Sequence, residues 1–123
     1  MGAARRPATL SVGLGVRPGS SGGEPTAYAR TVLDVVALIP AGRVMTYGDV
    51  AEYLGTGSGR TVGTVLRRYG SEVPWWRVVQ ASGRPAEPLV QDALARLSRE
   101  GCAVHGERIA LAAARWDGKP IRD

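Results

Sequence analysis

The chain has 123 residues, 44% of them hydrophobic, which suits a single domain with a tail. No apolar run approaches the ~20 residues of a membrane span, and Pro7 to Gly15 is too short and glycine-broken for a secretory leader. One cysteine (Cys102) excludes an internal disulfide and one histidine (His105) is too few for a zinc site, so no cofactor or metal is expected and the compartment is expected to be the cytosol.

The net charge is +5, and Lys119 is the only lysine among 16 basic residues. Arginine forks onto phosphates and base edges and stacks on bases. The same excess also arises from a GC-rich genome, so composition alone leaves a nucleic-acid partner open.

Residues 1–24 are rich in Gly, Pro, Ser and Arg without a period, and are expected to form a flexible N-terminal arm ahead of a domain spanning 25–123. Arg5, Arg6 and Arg17 are its phosphate-touching candidates. From Thr26, a plausible N-cap, Tyr28, Val32, Val35, Val36 and Ile39 fall on one helical face, and Pro40-Ala41-Gly42 ends the helix. Arg43 to Met45 reads as a short extended link. Thr46 then caps a helix over about 47–54, with Tyr47, Val50, Ala51 and Leu54 on one side. A glycine-rich turn, 55–59, leads into a third helix over about 60–69. Helix, short turn and helix at this spacing form a helix-turn-helix.

The third helix has two faces. Val62, Val65, Leu66 and Tyr69 face the core, while Arg60, Gly63, Thr64 and Arg67 lie opposite. That outer face is small in the middle and cationic at both ends. It suits close approach to a nucleic-acid backbone, or is simply a solvated face. Pro74 to Arg77 is a tight segment, Val78-Val79-Gln80 is extended, and Ser82-Gly83-Arg84-Pro85 is a turn. Pro88 is expected in the first turn of a further helix with Leu89, Ala93, Leu94 and Leu97 as its stripe, closed by Gly101. Ala103-Val104 and Arg108-Ile109 pair as a hairpin, and the tail from Trp116 carries no assignment.

Four stretches in order resemble the O6-alkylguanine-DNA alkyltransferase family. Ile39-Pro40-Ala41-Gly42-Arg43-Val44 with Thr46 to Ala51 is similar to its Ile-Pro-x-Gly-x-Val-x-Thr-Tyr-Gly-x-Ile-Ala segment. Arg60-Thr61-Val62-Gly63 is similar to its Arg-x-Val-Gly recognition-helix start, and Glu100-Gly101 to the Glu-Gly that closes its last helix. Pro74-Trp75-Trp76-Arg77-Val78 stands where the family reads Pro-Cys-His-Arg-Val. The resemblance runs from about Tyr28 to Gly101, and Lys119-Pro120 also resembles the tail of some members.

The subgroup it implies is the alkyltransferase-like proteins, which lack the catalytic Cys and are not enzymes. The implied fold is a mainly α, winged helix-turn-helix-like DNA-binding domain of the alkyltransferase C-terminal type, with short extended segments. The implied function is recognition of O6-alkylguanine in duplex DNA by minor-groove docking and base flipping, flagging the lesion for nucleotide excision repair. The chain is expected to act as a monomer, with duplex DNA and excision-repair proteins as partners. By resemblance, Tyr47 presses on a phosphate, Arg60 fills the gap left by the flipped base, and Thr61, Gly63 and Thr64 lie against the strand walls, with Arg67 of the same outer face as a further DNA-binding candidate. Trp75 walls the lesion pocket, and Pro74, Trp76, Arg77, Val78, Val79, Ser82, Gly83 and Arg84 complete it.

The family's His falls at Trp76 and its Asn near the end of the recognition helix at Tyr69. An indole cannot accept an alkyl group by displacement near neutral pH. Two other readings stand beside this one: a helix-turn-helix regulator reading the major groove, and a divergent alkyltransferase using Cys102.

Overall fold

The computed structural model describes residues 25–120. The expected arm, 1–24, lies outside the described residues. Helix α1, Ala27–Leu38, starts where Thr26 Oγ1 accepts from the Ala29 N–H at 3.0 Å. Strand β1 is Met45–Thr46, and α2 is Tyr47–Leu54. Thr46 and Asp49 close a reciprocal capping box at the start of α2. Helix α3, Gly59–Tyr69, has a second such box between Ser58 and Thr61. Both boxes fix where the helices of the helix-turn-helix begin, and hence the phase of their faces.

A 3-10 turn over Gly70–Glu72 and another over Trp75–Arg77 lead to strand β2, Val78–Val79. Strand β2 pairs in parallel with β1, Met45 opposite Val78 and Thr46 opposite Val79. Alternate residues of a strand point to opposite faces, so this small sheet serves two cores. Met45 and Val78 join Val32, Val36, Ile39, Val50, Val62 and Leu66 between the first three helices. Val44 and Val79 join Val90, Leu94, Leu97 and Ile109.

Helix α4 is Val90–Arg99. The hairpin strands β3, Val104–His105, and β4, Arg108–Ile109, follow, and then a short α5, Leu111–Ala114. The chain closes with Val44 bridged to Arg115 and with Trp116 buried against the first core.

Two expectations are corrected here. Pro88 lies ahead of α4 rather than in its first turn, and Leu89 is its non-helical N-cap, 48% exposed. The stripe is Val90, Ala93, Leu94 and Leu97. Leu89 and Val90 are both apolar, so the pattern admits either phase, and the later helix start selects Val90. The hairpin is also one residue tighter than expected, with Val104-His105 replacing Ala103-Val104.

The Glu100 carboxylate joins three parts of the fold. It accepts from Arg77 Nε and Nη2, from the Trp76 indole N–H at 3.0 Å and from the Gly42 N–H at 3.1 Å. Arg77 Nη1 also donates to the Ile39 carbonyl at 2.8 Å. Burial pushes the Glu100 carboxyl up, but the hydrogen bonds from Arg77, Gly42 and Trp76 outweigh it and hold the group below the usual carboxylate range.

Glu100→Gln leaves the Arg77 guanidinium unbalanced, and urea denaturation at pH 7 is expected to show a loss of about 2–4 kcal/mol. A carboxyl depressed in the fold stabilises fully above its unfolded pKa of about 4.3, and that stabilisation disappears as pH falls through the folded value. Wild-type stability is therefore expected to decline more steeply than that of the Gln variant below about pH 4.3, and parallel curves would refute the assignment. Gly83→Ala is expected to cost more than about 1 kcal/mol. The glycine sits at φ +89° and a Cβ there would lie 2.6 Å from the Ile109 carbonyl oxygen. An unchanged thermal midpoint would contradict this.

Candidate functional site

Helices α2 and α3 approach closely because α3 carries glycine at two positions one turn apart. A Cβ on Gly59 would lie 3.3 Å from the Gly48 nitrogen and from Tyr47 Cβ, and one on Gly63 would lie 3.8 Å from the Tyr47 ring. The Tyr47 side chain thus lies in a shallow groove of α3. Burial pushes its phenol pKa up, and the nearby Arg67 charge only tempers this, so the hydroxyl stays a neutral donor. It has no hydrogen-bond partner among the described residues.

Arg60, Thr64 and Arg67 are exposed on the outer face of α3, with Gly63 half-buried between them. Neither Arg60 nor Arg67 makes an ion pair or side-chain hydrogen bond among the described residues. Arg77, Arg84, Arg96 and Arg115 all have acidic partners. The hydroxyls on α3 are occupied internally. Thr61 Oγ1 donates to the Ser58 carbonyl at 2.9 Å, accepts from the Ser58 N–H and bonds the Tyr28 hydroxyl at 2.8 Å. Thr64 Oγ1 donates to the Arg60 carbonyl at 3.1 Å. The face is therefore narrow, with its free charge concentrated in two guanidinium groups.

At the C-terminal end of α3 a cavity of about 260 Å³ opens between the helix and the loop before α4. Leu66, Arg67, Gly70 and Ser71 line one side, and Trp75 with the run from Pro85 to Leu89 lines the rest. Arg67 belongs both to the outer face and to the cavity mouth. At 1.5 Å per residue, Arg60 and Arg67 stand about 10 Å apart along the helix.

Trp75 is held by its neighbours. Its ring meets Trp76 edge-on, with centroids 5.6 Å apart at 88°. The Arg96 guanidinium, paired with Asp92, lies 5.6 Å from the Trp75 ring centre and 4.6 Å from that of Trp76. The Trp75 indole N–H has no acceptor among the described residues, whereas that of Trp76 is bonded to Glu100.

Of the nine residues expected to form the pocket, only Trp75 lines this cavity. Pro74 is half-buried and accepts from the Arg77 N–H at 3.0 Å, shaping the turn. Trp76 packs on the second core and Arg77 is tied to Glu100 and Ile39. Val78 and Val79 are buried one in each core, because a paired strand has no free face here. Ser82 is exposed and accepts from the Arg84 N–H, while Gly83 is buried against Ile109. Arg84 is committed to Glu87 and Glu107 at 2.7 and 3.0 Å.

Apart from Arg67, the residues that line the cavity beside Trp75 were not named individually from the sequence. Their signal was the dense Pro85-Ala86-Glu87-Pro88 run, whose prolines restrict the chain but do not say what it faces.

Cys102 lies in the second core. Burial, with the Glu100 charge nearby, pushes its thiol pKa up and away from a reactive thiolate. Among the described residues no group of histidine, cysteine or carboxylate side chains could hold a metal, and no helix is long and apolar enough to cross a membrane.

Comparison with known proteins places this geometry. The family model for the 6-O-methylguanine DNA methyltransferase, DNA binding domain, matches residues 27–102. A DNA base-flipping protein of Escherichia coli is 40% identical over 97 residues, covering 74% of this chain and 75% of the relative. Alkyltransferase-like protein 1 of Schizosaccharomyces pombe is 37% identical over 81 residues, covering 60% of this chain and 75% of that protein.

Among solved structures, S. pombe Atl1 in complex with damaged DNA containing O6-carboxymethylguanine superposes with a TM-score of 0.66 at 30% identity, over 76% of this chain and 95% of that one. Mycobacterium tuberculosis OGT in complex with DNA gives 0.55 at 28% identity, over 63% of this chain and 51% of that longer one. The mainly helical fold is thus the alkyltransferase-like DNA-binding fold, and the chain belongs to the family of the 6-O-methylguanine DNA methyltransferase DNA-binding domain.

Proposed function

We propose that the protein is a non-enzymatic sensor of O6-alkylguanine in duplex DNA. The observation that carries this reading is the Trp75-walled cavity at one end of a slim helix face whose two arginines have no ion pair among the described residues. An aromatic wall at the end of a cationic ridge suits a base taken out of the stack. Relatives named for base flipping, and the likeness to Atl1 bound to damaged DNA, support the same reading.

In this reading α3 enters the minor groove. That groove is about 6 Å wide, so only a face as narrow as Gly63 between two threonines fits with modest opening. Arg60 takes the place of the extruded nucleotide and offsets part of the unstacking cost of a few kcal/mol. The Tyr47 hydroxyl and Arg67 meet the strand backbone. The base enters beside Trp75, which stands where the family's nucleophile would be. No thiol lines the cavity, and the lone cysteine is packed in the other core. The held lesion is then handed to nucleotide excision repair proteins by a monomeric sensor working at the nucleoid.

The decisive measurement is competition binding at stated salt between duplexes holding O6-methylguanine or guanine at one position. The lesion duplex is expected to bind more tightly, with no mass gain on the intact protein. A methyl adduct on the chain would instead favour an alkyltransferase.

Trp75→Ala is expected to lose about 1–3 kcal/mol of lesion preference while leaving affinity for plain duplex nearly unchanged. Arg60→Ala is expected to weaken both duplexes about tenfold or more, because the finger stabilises any extruded state.

Gly63→Ala separates fold from function. The added methyl makes ordinary contact with Tyr47. The helix gains about 1 kcal/mol of propensity, so thermal stability should hold or rise while affinity for both duplexes falls. Undiminished affinity would remove α3 from the interface.

A further inference from the structure

A second cavity is larger than the one beside Trp75. It is a groove of about 470 Å³ on the other side of α2, walled by Met45, Asp49, Glu52, Tyr53, Arg115, Trp116 and Asp117. At 100° per residue, Asp49, Glu52 and Tyr53 leave α2 on the side away from Tyr47. An occupant here would not compete with whatever meets α3.

The floor is aromatic. Tyr53 and Trp116 stack with centroids 6.3 Å apart and planes 21° from parallel, and Gly118 lies against the Tyr53 ring. The Trp116 indole N–H is satisfied by the Lys119 carbonyl at 2.8 Å. Tyr53 remains 48% exposed, and its hydroxyl has no partner among the described residues.

The walls are acidic on a chain whose net charge is +5. Asp49 is neutralised by Arg115 at 2.7 Å. Glu52 and Asp117 have no ion pair among the described residues, although the Arg115 charge reaches Glu52 and Asp117 Oδ1 accepts from the Lys119 N–H at 2.9 Å, which leaves Asp117 Oδ2 and the Glu52 carboxylate for an occupant. Phosphate would be repelled here. A guanidinium or ammonium would gain an aromatic face and two carboxylates at once.

We propose that this groove docks an arginine- or lysine-bearing peptide segment of a partner protein while α3 is engaged elsewhere. Charge complementarity selects the occupant: the groove is acidic on a basic molecule and its floor is suited to a cation. Arginine is favoured over lysine, because its planar fork both stacks on Tyr53 and spans a carboxylate. The proposal does not depend on lesion recognition, since none of its residues lies on α3 or beside Trp75.

The test uses the full chain labelled with ¹⁵N and titrated with the peptide acetyl-Gly-Arg-Ala-Arg-Gly-amide, with its citrulline analogue as the uncharged control. The three tryptophan indole N–H signals report separately on the two cavities. The arginine peptide is expected to shift the Trp116 signal and leave those of Trp75 and Trp76 in place. A saturating duplex should not displace it. The double variant Glu52→Lys, Asp117→Lys changes only exposed positions, and circular dichroism would verify that it folds. It is expected to weaken the peptide about tenfold or more without weakening duplex binding, which added positive charge favours.

Absence of any Trp116 shift would overturn the proposal. So would equal binding of the citrulline peptide, undiminished binding by the double variant, or displacement by duplex. Failure of lesion preference in the duplex assay would leave these results untouched, so the two readings fail separately.

Discussion

The arrangement of the molecule depends on one ion pair. Glu100, at the end of α4, receives Arg77, the Trp76 indole and the Gly42 amide, and Arg77 reaches on to the last carbonyl of the α1 segment. The pair is only slightly exposed, so it is screened little and each charge depends on the other. Its effect is positional. It fixes the turn that carries Trp75 relative to both α1 and α4, and α1 in turn packs on α3. The cavity wall and the helix beside it are therefore set by a contact that touches neither.

The same logic explains why the Pro-Trp-Trp-Arg stretch divides its labour. Adjacent residues in a 3-10 turn point in different directions. Trp75 faces the cavity, Trp76 turns to Glu100 and the second core, and Arg77 turns to the ion pair. Arg96 packs over both rings and holds their edge-on geometry. A flat wall that an extruded base could lean on needs this rigidity, since a freely rotating indole would forfeit stacking energy to its own entropy.

Much of this was readable from residues. The first three helices, both caps written by Thr26 and Thr46, and the inward and outward faces of α3 follow from a 3.6-residue period and from Ser/Thr chemistry. Motif order indicated the family.

What escaped was everything set by long-range packing. Val78 and Val79 read as pocket lining because they follow Trp75, but their fate depended on a parallel partner more than thirty residues earlier in the chain, at Met45 and Thr46. Arg84 read as a pocket residue, and no local signal revealed Glu87 and Glu107 as its partners. Pro85 to Leu89 line the cavity beside Trp75, and their individual places there were hidden because proline fixes the backbone without naming a face. The tail from Trp116 had no period to read, and its described part, 116–120, is anchored by one indole stacked against Tyr53.

The two-residue ladder of β1 and β2 has a consequence for how the protein fails. Because Met45 and Val78 root in one hydrophobic cluster while Val44 and Val79 root in the other, neither cluster can come apart without stripping side chains from its neighbour. The two halves should melt as a single cooperative unit, with amide protons at the ladder exchanging only through global opening. Heat or denaturant would then switch such a protein off abruptly, with no loosened intermediate left gripping its target.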